Sequence, residues 1–171
     1  MNNNQLISQK DICTVKVQIE ITIGSNVKYE IDHETHELVC DRFLHGPFVY
    51  PFNYGFIVNT LGGDGDPLDA VVICNRSLLP TCFIKCKIIG ALITDDEKGR
   101  DEKIILVPDD KIDPYNRLIN SYKDLDPHTL DEIKYFFTHY KDMELGKFIN
   151  VTDFIGPEQA MAIYLSAVKN I

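Results

Sequence analysis

The chain has 171 residues, 44% of them hydrophobic and 25% charged, enough for one domain with a sizeable core and ordinary for a soluble globule. Its 17 Lys and Arg stand against 26 Asp and Glu, a formal charge of -9. That balance excludes a general nucleic-acid surface, which needs a basic stripe, while leaving room for a local cationic pocket.

The tip Met1-Asn2-Asn3-Asn4-Gln5 is polar, with no apolar signal run, and is expected to be flexible. Val15, Val17, Ile19, Ile21 and Ile23 then alternate with polar residues, predicting a strand over 14–23 with Glu20 on the side opposite the apolar row. After the turn Gly24-Ser25-Asn26, a second strand puts Lys28 and Glu30 on one face. A third, near 37–44, puts Arg42 on a face with Leu38 and Cys40, where it needs a partner or solvent. Further strands are predicted at 52–58, 70–74, 82–93 and 103–107, with a hairpin turn at Asp95, Asp96, Glu97 and Gly99. The tail changes period. Asp126 caps a helix that has Pro127 at its first position, with Leu130, Ile133, Phe137 and Tyr140 inward. A short strand follows at 147–152, and Pro157 opens a second helix with Ala160, Ile163, Tyr164 and Ala167 inward.

These elements make a mainly β fold with flanking helices: a small OB-like closed barrel of about five strands, with two C-terminal helices packed against it. No Pro/Gly/Ser-rich linker divides the chain, so 1–171 read as a single domain. No run approaches the 18 apolar residues of a membrane helix, and no membrane partner is expected. The five cysteines, at 13, 40, 74, 82 and 86, are an odd set in mostly apolar surroundings. They read as buried thiols in a reducing compartment, giving a cytoplasmic expectation.

Chemistry concentrates at Asp64-Gly65-Asp66-Pro67-Leu68-Asp69. Three carboxylates in six residues repel one another unless cations neutralise them, and a turn can converge oxygens that a flat strand would point apart. Asp101 supplies a fourth. Such a set suits a hard divalent cation such as magnesium; a solvated acidic loop is the alternative. Lys28, Arg42, Lys103 and Lys141 are the cations a phosphate substrate would need, Arg42 as a bidentate fork. Tyr50, Tyr54 and Tyr140 offer hydroxyls to phosphate oxygens or to the aromatic core. His33, His36 and Cys40 lack a fourth ligand at zinc spacing, and no P-loop lysine follows the glycines of 59–65.

In this ordered set the chain resembles the metal-dependent barrel family of inorganic pyrophosphatases, in its short bacterial form. Asp64-Gly65-Asp66-Pro67-Leu68-Asp69 matches that family's D-G-D-P-x-D signature. Ile19-Glu20-Ile21, Lys28-Tyr29-Glu30, Asp41-Arg42-Phe43, Tyr50 to Gly55, Asp101-Glu102-Lys103 and His139-Tyr140-Lys141-Asp142 extend the resemblance over about 14–165. The resemblance implies hydrolysis of pyrophosphate to two phosphates with three or four magnesium ions. It makes Asp64, Asp69 and Asp101 chief metal ligands, joined by Asp96, with Glu20 and Glu30 holding metal-bound waters. Asp66 corresponds to the acceptor of a water proton. Lys28, Arg42, Lys103, Tyr140 and Lys141 correspond to groups binding the two phosphoryl units, and Tyr54 contacts phosphate or steadies the nucleophile region. A homo-hexamer is the family expectation. A broader metal-dependent phosphohydrolase and an OB-like nucleic-acid-binding module are the other readings.

Overall fold

In a computed structural model, residues 14–168 are described; the polar tip and Cys13 lie outside them. Among the described residues eight strands form: β1 (Thr14–Ile21), β2 (Val27–Ile31), β3 (Leu38–Phe43), β4 (Asn53–Ile57), β5 (Asp69–Val72), β6 (Phe83–Asp96), β7 (Gly99–Pro108) and β8 (Ile149–Ile155). Two α-helices, α1 (Pro127–His139) and α2 (Pro157–Ala167), complete the set, with short 3-10 turns between β7 and α1.

The order β1-β4-β5-β7-β6, closed by pairing of β6 back to β1, makes a ring of five strands. The 14-residue β6 makes the closure possible. Its first half, Phe83 to Lys87, pairs with β1, while Ala91 to Asp96 pair with β8, both antiparallel. All neighbours around the ring are antiparallel except β5 and β7. These strands are buried on both faces, which explains why Ile104 to Val107 run without alternation. Ile104 and Leu106 join Val17, Ile19, Ala70 and Val72 in one cluster, against which α2 lays Ala160 and Ala167. Ile105 and Val107 join Val71, Tyr50, Phe52 and Tyr54 in a second, covered by Ile133, Phe136, Phe137 and Tyr140 of α1 and its cap.

The helix starts follow the sequence closely. Asp126 accepts a hydrogen bond from the His128 amide at 2.8 Å, with Pro127 at the first turn. Gly55 is required where β4 crosses β1, since a Cβ there would lie 1.9 Å from the Gln18 carbonyl oxygen.

Several expectations are corrected. β6 and β7 extend to Asp96 and Gly99, so the hairpin turn is only Glu97-Lys98, and Asp95 and Asp96 belong to the strand. β2 and β3 form a separate two-stranded ribbon. One face of it is open, so Cys40 is exposed rather than a buried thiol; Cys74 and Cys82 are half-buried, and among the described cysteines only Cys86 is fully enclosed. Among the described residues no helix is long and apolar enough to cross a membrane.

Candidate active site

A cleft of about 620 Å³ opens between the ribbon, one end of the barrel and the segment following α1. All thirteen residues to which the family resemblance gives a site role line it: Glu20, Lys28, Glu30, Arg42, Tyr54, Asp64, Asp66, Asp69, Asp96, Asp101, Lys103, Tyr140 and Lys141.

Register explains the centre of this site. Asp69, the first residue of β5, sits directly beside Lys103 in the parallel β5–β7 pair. Asp101 precedes Lys103 by two residues on β7 and therefore shares its face. Lys103 is 4% exposed, and its Nζ lies 2.5 Å from Asp69 Oδ2 and 2.6 Å from Asp101 Oδ2. It also donates to the Tyr54 hydroxyl at 3.1 Å. Burial would discharge this lysine, but Asp69, Tyr54 and Asp101 together outweigh it and hold the ammonium protonated. Asp101 is pushed up to about 6, chiefly by burial, which Lys103 opposes and Asp69 reinforces. Glu20, at the end of β1, is raised to about 7, again mainly by burial, although it accepts the Ile31 amide at 2.8 Å.

Asp64 and Asp66 stand on the exposed turn before β5. Asp64 Oδ1 accepts the Asp66 amide at 3.0 Å, and Gly65, at φ 91°, supplies the left-handed residue that the turn requires. Asp66 thereby projects into the cleft with its carboxylate open to water.

The opposite wall comes from the ribbon. A bulge at Asp41 shifts the register, so that Lys28 faces Arg42 while Tyr29 faces Cys40. Simple alternation would place Arg42 with Leu38 and Cys40; the bulge instead sends Asp41 and Arg42 together into the cleft. Asp41 takes Arg42 Nη1 at 2.5 Å and Lys28 Nζ at 3.4 Å, and Lys28 also pairs with Glu30. Behind α1, Lys141 approaches Asp96 at 3.9 Å. Burial lowers the Lys141 pKa, against the pull of Glu97 and Asp96.

Tyr50 falls outside this lining. At 2% exposure it packs against Phe52, Tyr54, Phe136 and Tyr140, so the core alternative describes it. Conversely, Asp41, Glu97 and Lys147 line the cleft without having been selected, as does Asp32. Asp41 and Glu97 adjoin Arg42 and Asp96 in sequence, and adjacency was the available signal. Nothing in the local pattern marked Lys147.

The donor set fits hard divalent cations. Ten carboxylates against six lysine and arginine side chains line the cleft, and every acidic donor is an oxygen. Among the described residues no three acidic, His or Cys side chains stand grouped to hold an ion as they are. Lys103 lies between Asp69 and Asp101, so an incoming cation would share these carboxylates with it.

The family model described as inorganic pyrophosphatase matches residues 17–171. An inorganic pyrophosphatase of Helicobacter pylori strain J99 is 44% identical over 169 residues, covering 99% of this chain and 98% of that protein. One from Nanoarchaeum equitans is 49% identical over 152 residues, 89% of this chain and 94% of its own. Among solved structures, the Helicobacter pylori inorganic pyrophosphatase superposes with a TM-score of 0.90 at 43% identity, over 96% of this chain and 97% of that one. The Thermus thermophilus structure gives 0.88 at 35% identity, over 95% and 93%.

Proposed function

The chain belongs to the inorganic pyrophosphatase family, and from that premise we propose how its cleft divides the work of splitting pyrophosphate into two phosphates. The activity is that of an inorganic diphosphatase, and membership implies a divalent metal cofactor. The observation carrying the residue assignments is the meeting of carboxylates and cations in one cleft, with Lys103 joined to Asp69, Asp101 and Tyr54 at its centre.

The cofactor is magnesium, three or four ions in the substrate complex, held by Asp64, Asp69 and Asp101 with Asp96 joining, while Glu20 and Glu30 hold surrounding waters. When bound, it neutralises phosphoryl oxygens and lowers the pKa of the attacking water. Lys28, Arg42, Lys103, Tyr140 and Lys141 bind the two phosphoryl units and offset charge on the departing one. Water attacks one phosphorus and gives its proton to Asp66. The bond from that phosphorus to the bridging oxygen breaks, and the leaving phosphate departs with the electron pair. Tyr54, fixed by Lys103, steadies the nucleophile region.

The enzyme is a cytoplasmic homo-hexamer without nucleic-acid or membrane partners. Exposed apolar side chains at and beyond α1, including Tyr135, Met143 and Leu145, support assembly, and the acidic balance supports the lack of a nucleic-acid role.

The test is phosphate release from pyrophosphate during a magnesium titration, with ATP and a simple phosphomonoester alongside. Selective, magnesium-dependent release is expected. Equal rates on all three would favour a broader phosphohydrolase, and saturation by manganese or zinc alone would overturn the choice of metal.

A further inference from the structure

Glu144 lies four residues after Tyr140, in the turn behind α1, and is 7% exposed. It was not among the residues the sequence marked, and it does not line the cleft. A buried carboxylate requires a cationic partner. Its partner is Arg42, reached from a different structural unit: Nε is 2.9 Å from Glu144 Oε1, and Nη2 donates to Oε2 at 3.4 Å. The Nε contact is close in distance, but its N–H is off line, so it is an ion contact rather than a formed hydrogen bond.

We propose that Glu144 is the positioning residue for Arg42, setting the guanidinium so that its outer edge meets a phosphoryl group of pyrophosphate. Arginine offers donors on two usable edges. Glu144 occupies the Nε–Nη2 edge from behind, leaving Nη1 and the second Nη2 hydrogen for the cleft, where Asp41 already takes Nη1. The side chain has several rotatable bonds and stands on a ribbon outside the barrel's ladder. Without Glu144 its head would be tethered, among the described residues, only through its neighbour Asp41, which Lys28 also engages. The orientational entropy now removed by Glu144 would then be lost on binding.

This inference rests on the assignment of Arg42 as a phosphoryl-binding group, and a mutant cycle separates the two. Binding of methylenediphosphonate, which has the charges of pyrophosphate but no cleavable bridge, is measured by calorimetry at saturating magnesium for wild type, Arg42→Lys, Glu144→Gln and the double variant. Hydrolysis is measured in parallel. Glu144→Gln is expected to weaken diphosphonate binding roughly tenfold and raise KM similarly, with kcat within about twofold of wild type. Lysine has no Nε edge for Glu144 to hold, so the double variant should match Arg42→Lys alone. Additive losses, or wild-type affinity in Glu144→Gln, would overturn the role of Glu144. Wild-type affinity in Arg42→Lys would overturn the reading of Arg42 itself. Glu144→Asp keeps the charge but withdraws it by one methylene. It should weaken binding in the same sense, and it replaces the amide variant if that variant does not fold; wild-type affinity there would likewise refute the role.

Discussion

Replacing Lys103 by methionine keeps most of the stem and removes the charge. Its Nζ now neutralises Asp69 and Asp101 at 2.5 and 2.6 Å, so the variant leaves two carboxylates facing each other with no cation between them. Breaking a fully buried pair in this way costs about 3–5 kcal/mol. Asp69 and Asp101 retain 28% and 19% side-chain exposure, however, and water reduces the loss to about 2 kcal/mol. For a chain of this length that is a Tm lower by about 6 °C in the metal-free protein. Magnesium then acts on the variant in two ways: it binds the folded protein, as in wild type, and it takes over the missing neutralisation. The variant should therefore gain more Tm from saturating magnesium than wild type does, closing at least half of the gap. Pyrophosphate hydrolysis should stay about a hundredfold low, because the phosphoryl contact proposed for Lys103 would be lost. Calorimetric scans with and without magnesium, at one protein concentration, make the comparison. An equal deficit in both conditions, or none in the metal-free state, would refute the view that Lys103 and the cofactor share these carboxylates.

Asp66→Asn should leave the fold and magnesium binding nearly intact while lowering kcat by about 10²- to 10⁴-fold, read from paired activity and calorimetry; near-full activity would remove Asp66 as proton acceptor. Gly55→Ala should destabilise by about 3 kcal/mol, because its Cβ would meet the β1 backbone at 1.9 Å, and an unchanged denaturation midpoint would contradict that packing. Burial raises the Cys86 thiol while Cys40 is exposed, so iodoacetamide should label Cys40 in the native protein and Cys86 only after unfolding, as peptide mapping would report. The Asn120 and Ser121 amides lower the Asp124 pKa. Its contribution is thus complete above the unfolded value near about 3.9 and is lost as pH falls through the lower folded value. Asp124→Asn should flatten the acid limb of a Tm-against-pH curve, and an identical limb would reject the linkage.

Much of the site was legible because its residues sit at positions governed by local rules. The period of two put Lys28 and Glu30 on one face, the glycines and Pro67 marked the turn, and Asp126-Pro127 marked the start of α1. Arg42 was chosen as a cation and does line the cleft, but it was assigned the wrong neighbours, since a bulge is an offset between two strands and has no signature in either one alone. Tyr50 and Tyr54 looked equivalent, although only Tyr54 reaches the cleft, because helix α1 decides which ring is covered. Glu144 was invisible for the same kind of reason: a carboxylate in a turn is ordinarily solvated, and only the approach of a ribbon a hundred residues away in sequence buries it.

The ribbon shares no strand-to-strand ladder with the ring. Its backbone ties to neighbouring segments include Gly24 to the Tyr50 carbonyl and Tyr50 to the Ser25 carbonyl, and side-chain ties run from Glu20 to Ile31 and from Arg42 to Glu144. An isolated two-stranded unit is marginal in water, so its amides should exchange with solvent by sub-global opening at a lower free energy than those of the ring. An anion spanning Lys28, Arg42 and Lys103 would add one more tie between the two units. Occupancy and opening then become thermodynamically coupled: filling the cleft slows exchange in β2 and β3, and any substitution that loosens the ribbon weakens retention of the anion by the same free energy.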